Sequence, residues 1–172
     1  HEMLWGFVAT IAVGFLLTAG ANWTGQVPLA GAGLGALLVL WAAARAGFLV
    51  GGDVGFGIAV AAELLFFAVA AAAMARVVWR TRNRRNYVVP PMLLGLALAD
   101  ALFLASLPDW TRTLRGFNAG LLVMALIALL VARRVIPFFA MRAVTGLQIP
   151  MHERSAQVQL GAGTIAVVAL LA

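Results

Sequence analysis

The chain has 172 residues, 64% of them hydrophobic and 10% charged, with a mean hydropathy of +1.03 and a formal net charge of +6. A surface this apolar excludes an ordinary water-soluble fold and predicts an all-α, polytopic transmembrane helix bundle; a transmembrane barrel would need polar residues at every second strand position, and that alternation is missing. Lysine and cysteine are both absent, so all twelve basic residues are arginines, and disulfides, thiolate metal sites and cysteine nucleophiles are excluded together.

The chain opens on HEMLWGFVATIAVGFLLTAGANWTG, where a histidine and an acid precede an apolar run over residues 3–21. Nineteen residues at about 1.5 Å each span roughly 28 Å, the thickness of a bilayer core. The run closes on a polar Asn22, Trp23, Thr24, Gly25 turn, and without a basic n-region or a cleavage site it reads as a crossing rather than a secretory signal. A second helix over about 29–50 carries Gly31 and Gly35 at the small-xxx-small spacing that lets helix backbones approach closely in lipid. The Gly51, Gly52, Asp53 turn leads to a third helix over about 54–79, and a basic loop, RTRNRRNY, follows at 80–87.

The fourth helix, about 88–107, enters through Pro90 and Pro91, which a first turn tolerates. A loop from Pro108 to Thr113 precedes the fifth, about 116–139, where Gly116 and Gly120 repeat the small-residue spacing. The last loop holds Arg142, Pro150, His152, Glu153 and Arg154, and the final apolar run, 160–172, is too short for a full crossing. The expectation is one transmembrane domain of five full crossings and a truncated sixth, part of a longer protein.

Nine arginines (76, 80, 82, 84, 85, 133, 134, 142 and 154) fall on the side of the 80–87 loop, against Arg112 and Arg115 on the other. The positive-inside rule then places that loop in the cytoplasm and His1 on the outer face. Three charges lie within crossings: Arg45, Glu63 and Asp100. Each is costly in lipid and therefore a functional candidate. The topology puts all three in the outer half of the bilayer, with Glu63 roughly 14 Å deep, on the same side as His1.

One reading is an outward polar site in which His1 binds a metal or cofactor and Arg45, Glu63 and Asp100 support it. A second is that Arg45 simply pairs with an acid as interhelical glue. A transporter or channel, with the same charges lining a substrate or proton path, is the alternative function. His152 reads as a solvated loop residue, no HExxH spacing exists, and Ser106 has no base nearby in sequence, so no catalytic residue is assigned. Trp5, Trp23, Trp41, Trp79 and Trp110 mostly fall near helix ends, as in an interfacial belt. The methionines are scattered over different segments, which argues against a methionine-rich copper pathway. No aromatic-interleaved basic surface suggests nucleic acid as a partner.

HEM before a helix ending GFLLTAGANWTG, then RRNY before a helix, then RVIPFF at the end of another, together resemble the amino-terminal half of the NnrS family of bacterial membrane proteins. The resemblance implies a haem- and copper-containing, multi-pass inner-membrane protein linked to nitric oxide metabolism and protection from nitrosative stress. It implies that His1 is one of a His-x-His pair and a haem or copper ligand. It also marks a departure: where many relatives carry a histidine in the fourth helix this chain has Leu104, so that helix supplies no second histidine, and either Asp100 is a compensating polar group or the site is altered.

Overall fold

The computed structural model describes residues 1–144, 146–148 and 153–171. It is a bundle of helices, five of them long and apolar enough to cross a membrane. α1 runs over Glu2–Thr24, α2 over Ala32–Val50, α3 over Gly52–Arg80, α4 over Val89–Ala105, α5 over Trp110–Ala143 and α6 over Glu153–Leu171. A single 3-10 turn, Arg84–Asn86, links α3 to α4. The apolar part of α6, Gln157–Leu170, is shorter than a crossing. His152 lies outside the described residues.

α3 is the hub. Its alanines 59, 62, 70, 71 and 73 are buried and, being small, let α1, α2 and α4 pack closely on it, while Phe66, Phe67 and Met74 fill the remaining core. α2 and α3 form a hairpin whose tightest approach is Gly47 against Gly55: a Cβ on Gly47 would sit 2.7 Å from the Gly55 carbonyl oxygen. Gly47, Gly51 and Gly55 stand at two successive small-xxx-small steps, and the outer two meet across the turn. Gly31 and Gly35 meet nothing, so their expected helix contact does not form here, and Gly31 instead takes φ +53° just before α2 begins at Ala32. Gly116 and Gly120 behave as expected, one against the Phe103 backbone and the other against the Trp5 ring.

Two helix ends differ from the expected ones for local reasons. α1 continues through Asn22, Trp23 and Thr24, and only Gly25 leaves it, in the left-handed conformation that terminates helices. α5 starts at Trp110 because Asp109 caps it, its carboxylate accepting from the Thr111 and Arg112 amides at 3.0 and 3.2 Å. The first eight residues of α1, Glu2–Ala9, are π-helical. There Thr10 Oγ1 bonds the Trp5 and Gly6 carbonyls, and Trp41 Nε1 on α2 donates to the Gly6 carbonyl at 3.0 Å. Wide helical turns of this kind leave carbonyls for such side-chain donors.

The end of the bundle away from His1 is closed by the arginine-rich segments. Arg134 on α5 bonds Asn86 Oδ1 and, at 2.7 Å, the Arg85 carbonyl, and its guanidinium lies 4.4 Å from the Trp23 ring centroid. Asn83 donates to the Trp23 carbonyl at 2.8 Å. Its neighbour Arg133 points elsewhere, to Gln159 and Ser155 on α6 at 3.0 and 2.6 Å. The three conspicuous strings NWTG, RRNY and RRVIPFF thus converge on one polar clasp.

Candidate metal centre

The opposite end gathers the four residues singled out in the sequence. His1 precedes α1, Arg45 sits one turn from the end of α2, Glu63 lies in the first half of α3 and Asp100 in the last turns of α4. His1 Nε2 is 2.9 Å from Asp100 Oδ1 and 3.3 Å from Glu63 Oε2. Arg45 Nη2 donates to Glu63 Oε1 at 2.5 Å, and its Nη1 to Glu2 Oε2 at 2.6 Å. The other oxygen of Glu2 is 3.2 Å from His1 Nδ1 and closes the ring of contacts.

The Arg45–Glu63 ion pair is the interhelical glue of the second reading, and it coexists with the cluster of the first. The centre is secluded: Asp100 is 0% exposed, Glu63 3%, and the His1 side chain 13%. The charges of Glu63 and Asp100, secluded in this way, depend on their neighbours for stabilisation, while Glu2 is 57% exposed at the rim.

An aromatic box explains the seclusion. The His1 ring stacks against Trp5 and Phe103, with centroids 5.4 and 5.6 Å away, and Phe48 tilts over it at 4.8 Å. Trp5 is fully buried and also packs on Phe103 and Phe117. Its expected place in an interfacial belt is corrected here: the π-helical turn carries it inward, and Gly120 on α5 leaves room for the indole. Trp79 and Trp110 are exposed at helix ends, consistent with the belt.

Gly6 shapes the site as well. A Cβ there would fall 2.0 Å from Arg45 Nη1, so a larger residue would push the guanidinium out of this position. Sequence reasoning identified the charges but not Glu2, Gly6, Trp5, Phe48 or Phe103 as parts of the site. A signal was present: aromatic residues stand one helical turn from each of these groups, at 1 and 5, 45 and 48, 63 and 66, and 100 and 103.

His1, Glu63 and Asp100 each offer a ligand atom, and these atoms lie within 4.8 Å of one another. Three buried atoms of the cluster, Arg45 Nε, Glu63 Oε2 and Asp100 Oδ2, have no hydrogen-bond partner among the described residues, although Glu63 Oε2 is within ion-pair distance of His1. Buried acceptors left in this state are rare and mark a place for a further donor or cation. The donor set fits a single ion. A porphyrin on Nε2 would have to displace both carboxylates and part the aromatic box. Leu104, at the position of the histidine expected from the resemblance, is buried in the core, and Asp100 one turn earlier meets His1 in its place. A separate surface pocket of about 630 Å³ lies between the end of α4 and the start of α5, lined by Leu102, Ser106, Arg112 and Arg115 among others.

A family model described as NnrS protein matches residues 1–172, the whole chain. No curated protein and no solved structure matches it.

Proposed function

This chain belongs to the NnrS family of membrane proteins, and on that premise we propose that its secluded polar centre binds a transition-metal group through His1 and serves nitric oxide metabolism and protection from nitrosative stress. The observation that carries the reading is the meeting of His1 with two buried carboxylates from separate helices, Glu63 and Asp100, the second keeping an oxygen without a partner among the described residues.

Each residue has a defined part. His1 offers Nε2, while Glu2 faces Nδ1 and so orients the ring. Arg45 holds one oxygen of Glu63 and leaves the other on the His1 side. Trp5, Phe48 and Phe103 exclude water and leave an apolar approach suited to a small uncharged molecule such as nitric oxide. The chemistry a bound metal supplies is an open coordination position for that molecule.

The test is elemental analysis and optical spectroscopy of the purified full-length protein. We expect bound metal that is lost in His1→Ala, and a spectrum that changes when nitric oxide is added. Metal-free protein, or unchanged loading in His1→Ala, would sink the proposal, and a spectrum indifferent to nitric oxide would remove the link to that gas.

The orientation belongs to the same reading. The arginine excess around the 80–87 loop supports an orientation in a bacterial inner membrane with that loop on the cytoplasmic side and the His1 centre on the outer side. A cysteine substituted for Arg82 should react with an impermeant maleimide only in inverted vesicles. Labelling in intact cells with sealed inner membranes would turn the whole molecule over.

A further inference from the structure

Resting on the reading of this centre as a metal site, we propose that it is built for one divalent ion held by His1 Nε2, Glu63 and Asp100, and for neither a porphyrin nor monovalent copper. Three features bear on it. The first is spacing. Ligands about 2.0 to 2.2 Å from a common ion stand roughly 2.9 Å apart at a right angle and roughly 3.4 Å apart in a tetrahedron. The His1 nitrogen is 2.9 Å from its Asp100 oxygen and 3.3 Å from its Glu63 oxygen, so two of the three donor separations already match one face of a coordination sphere.

The second is charge. With Nε2 given over to an ion the imidazole is neutral, and three carboxylates, Glu2, Glu63 and Asp100, stand against the single guanidinium of Arg45. Two negative charges remain. Glu2, however, has a side chain 57% exposed and is stabilised by solvent, so the balance calls for a cation beside the buried carboxylates without fixing its valence.

The third is ligand chemistry. Carboxylate oxygen and imidazole nitrogen suit Cu(II), Zn(II), Fe(II) and Mn(II), while Cu(I) favours thiolate and thioether sulfur. The chain has no cysteine, and Met3, two residues from His1, is 75% exposed. A purely structural ion-pair network is the competing account. It accounts for Glu63, which pairs with Arg45 and, at 3.3 Å, with His1, but it leaves Asp100 Oδ2, on a residue 0% exposed, with no hydrogen bond among the described residues.

The experiment uses the purified full-length protein, stripped with chelator, reconstituted in nanodiscs and titrated separately with Co(II), Cu(II), Cu(I) and hemin. One equivalent of Co(II) and of Cu(II) should bind, with the affinity reduced at least about 10-fold in Glu63→Gln and in Asp100→Asn. Full divalent affinity in both variants overturns the proposal. Binding of hemin or Cu(I) that requires His1, with no divalent binding, overturns it too but leaves the metal-site reading standing; no binding of any kind removes both. Should either variant fail to fold, pulsed EPR of the Cu(II)-loaded unsubstituted protein decides. One coupled imidazole nitrogen is expected, and two or more equatorial nitrogens refute the donor set.

Discussion

Arg45→Ala should destabilise the bundle by about 3–5 kcal/mol, because removing one partner of a buried ion pair leaves the other as an uncompensated charge. The guanidinium spans α1 and α3 from α2, bonding Glu2 and Glu63 with separate nitrogens. No smaller cation reproduces that fork, so Arg45→Lys should recover only part of the loss. Adding Glu63→Gln to Arg45→Ala should restore stability relative to the single variant, since it removes the charge left behind. Reversible unfolding in mixed micelles measures the unsubstituted protein, the two Arg45 variants, Glu63→Gln alone and the double variant. A double variant as unstable as the sum of its singles would show that Arg45 acts through packing rather than charge.

Trp5→Ala should cost about 3–5 kcal/mol as well, from the cavity left by a wholly buried indole. Its consequence for the site is separate from its consequence for stability. The indole supports one face of the His1 ring and packs on Phe103 and Phe117, so its loss admits water beside the two carboxylates. Trp5→Phe should retain most of the stability. Gly120→Val should imitate Trp5→Ala, because a Cβ at 120 would meet the indole at 2.6 Å. Thermal unfolding in detergent, followed by circular dichroism, gives the comparison. A stable Gly120→Val protein would mean that Trp5 has somewhere else to go.

The crossings were legible because a bilayer demands about twenty apolar residues in a row, and that demand is written in one dimension. The common level of Arg45, Glu63 and Asp100 was legible for the same reason: depth follows from counting residues along alternating helices. Which helices touch is a two-dimensional question that counting does not answer. Hence His1 meeting both carboxylates, Glu2 reaching Arg45 and the Gly47–Gly55 contact all required the structure. Trp5 was misplaced because an indole near a helix end satisfies either a membrane interface or a core, and only the π-helical turn decides for the core. The start of α5 was misplaced because its cap, Asp109, lies in a segment whose proline and polar residues also fit a loop.

The π-helical start of α1 has a consequence for alignment in the angular sense. Along an unbroken α-helix twelve residues leave His1 and Val13 about a third of a turn out of phase. Here His1, Trp5, Ala9 and Val13 all face inward, because the wider turns over Glu2–Ala9 absorb the phase difference. A chain shorter by one residue in that stretch would keep its hydrophobicity and its length as a crossing, yet rotate its imidazole away from the carboxylates. The segment that hydropathy treats as filler is therefore the dial that aims the histidine.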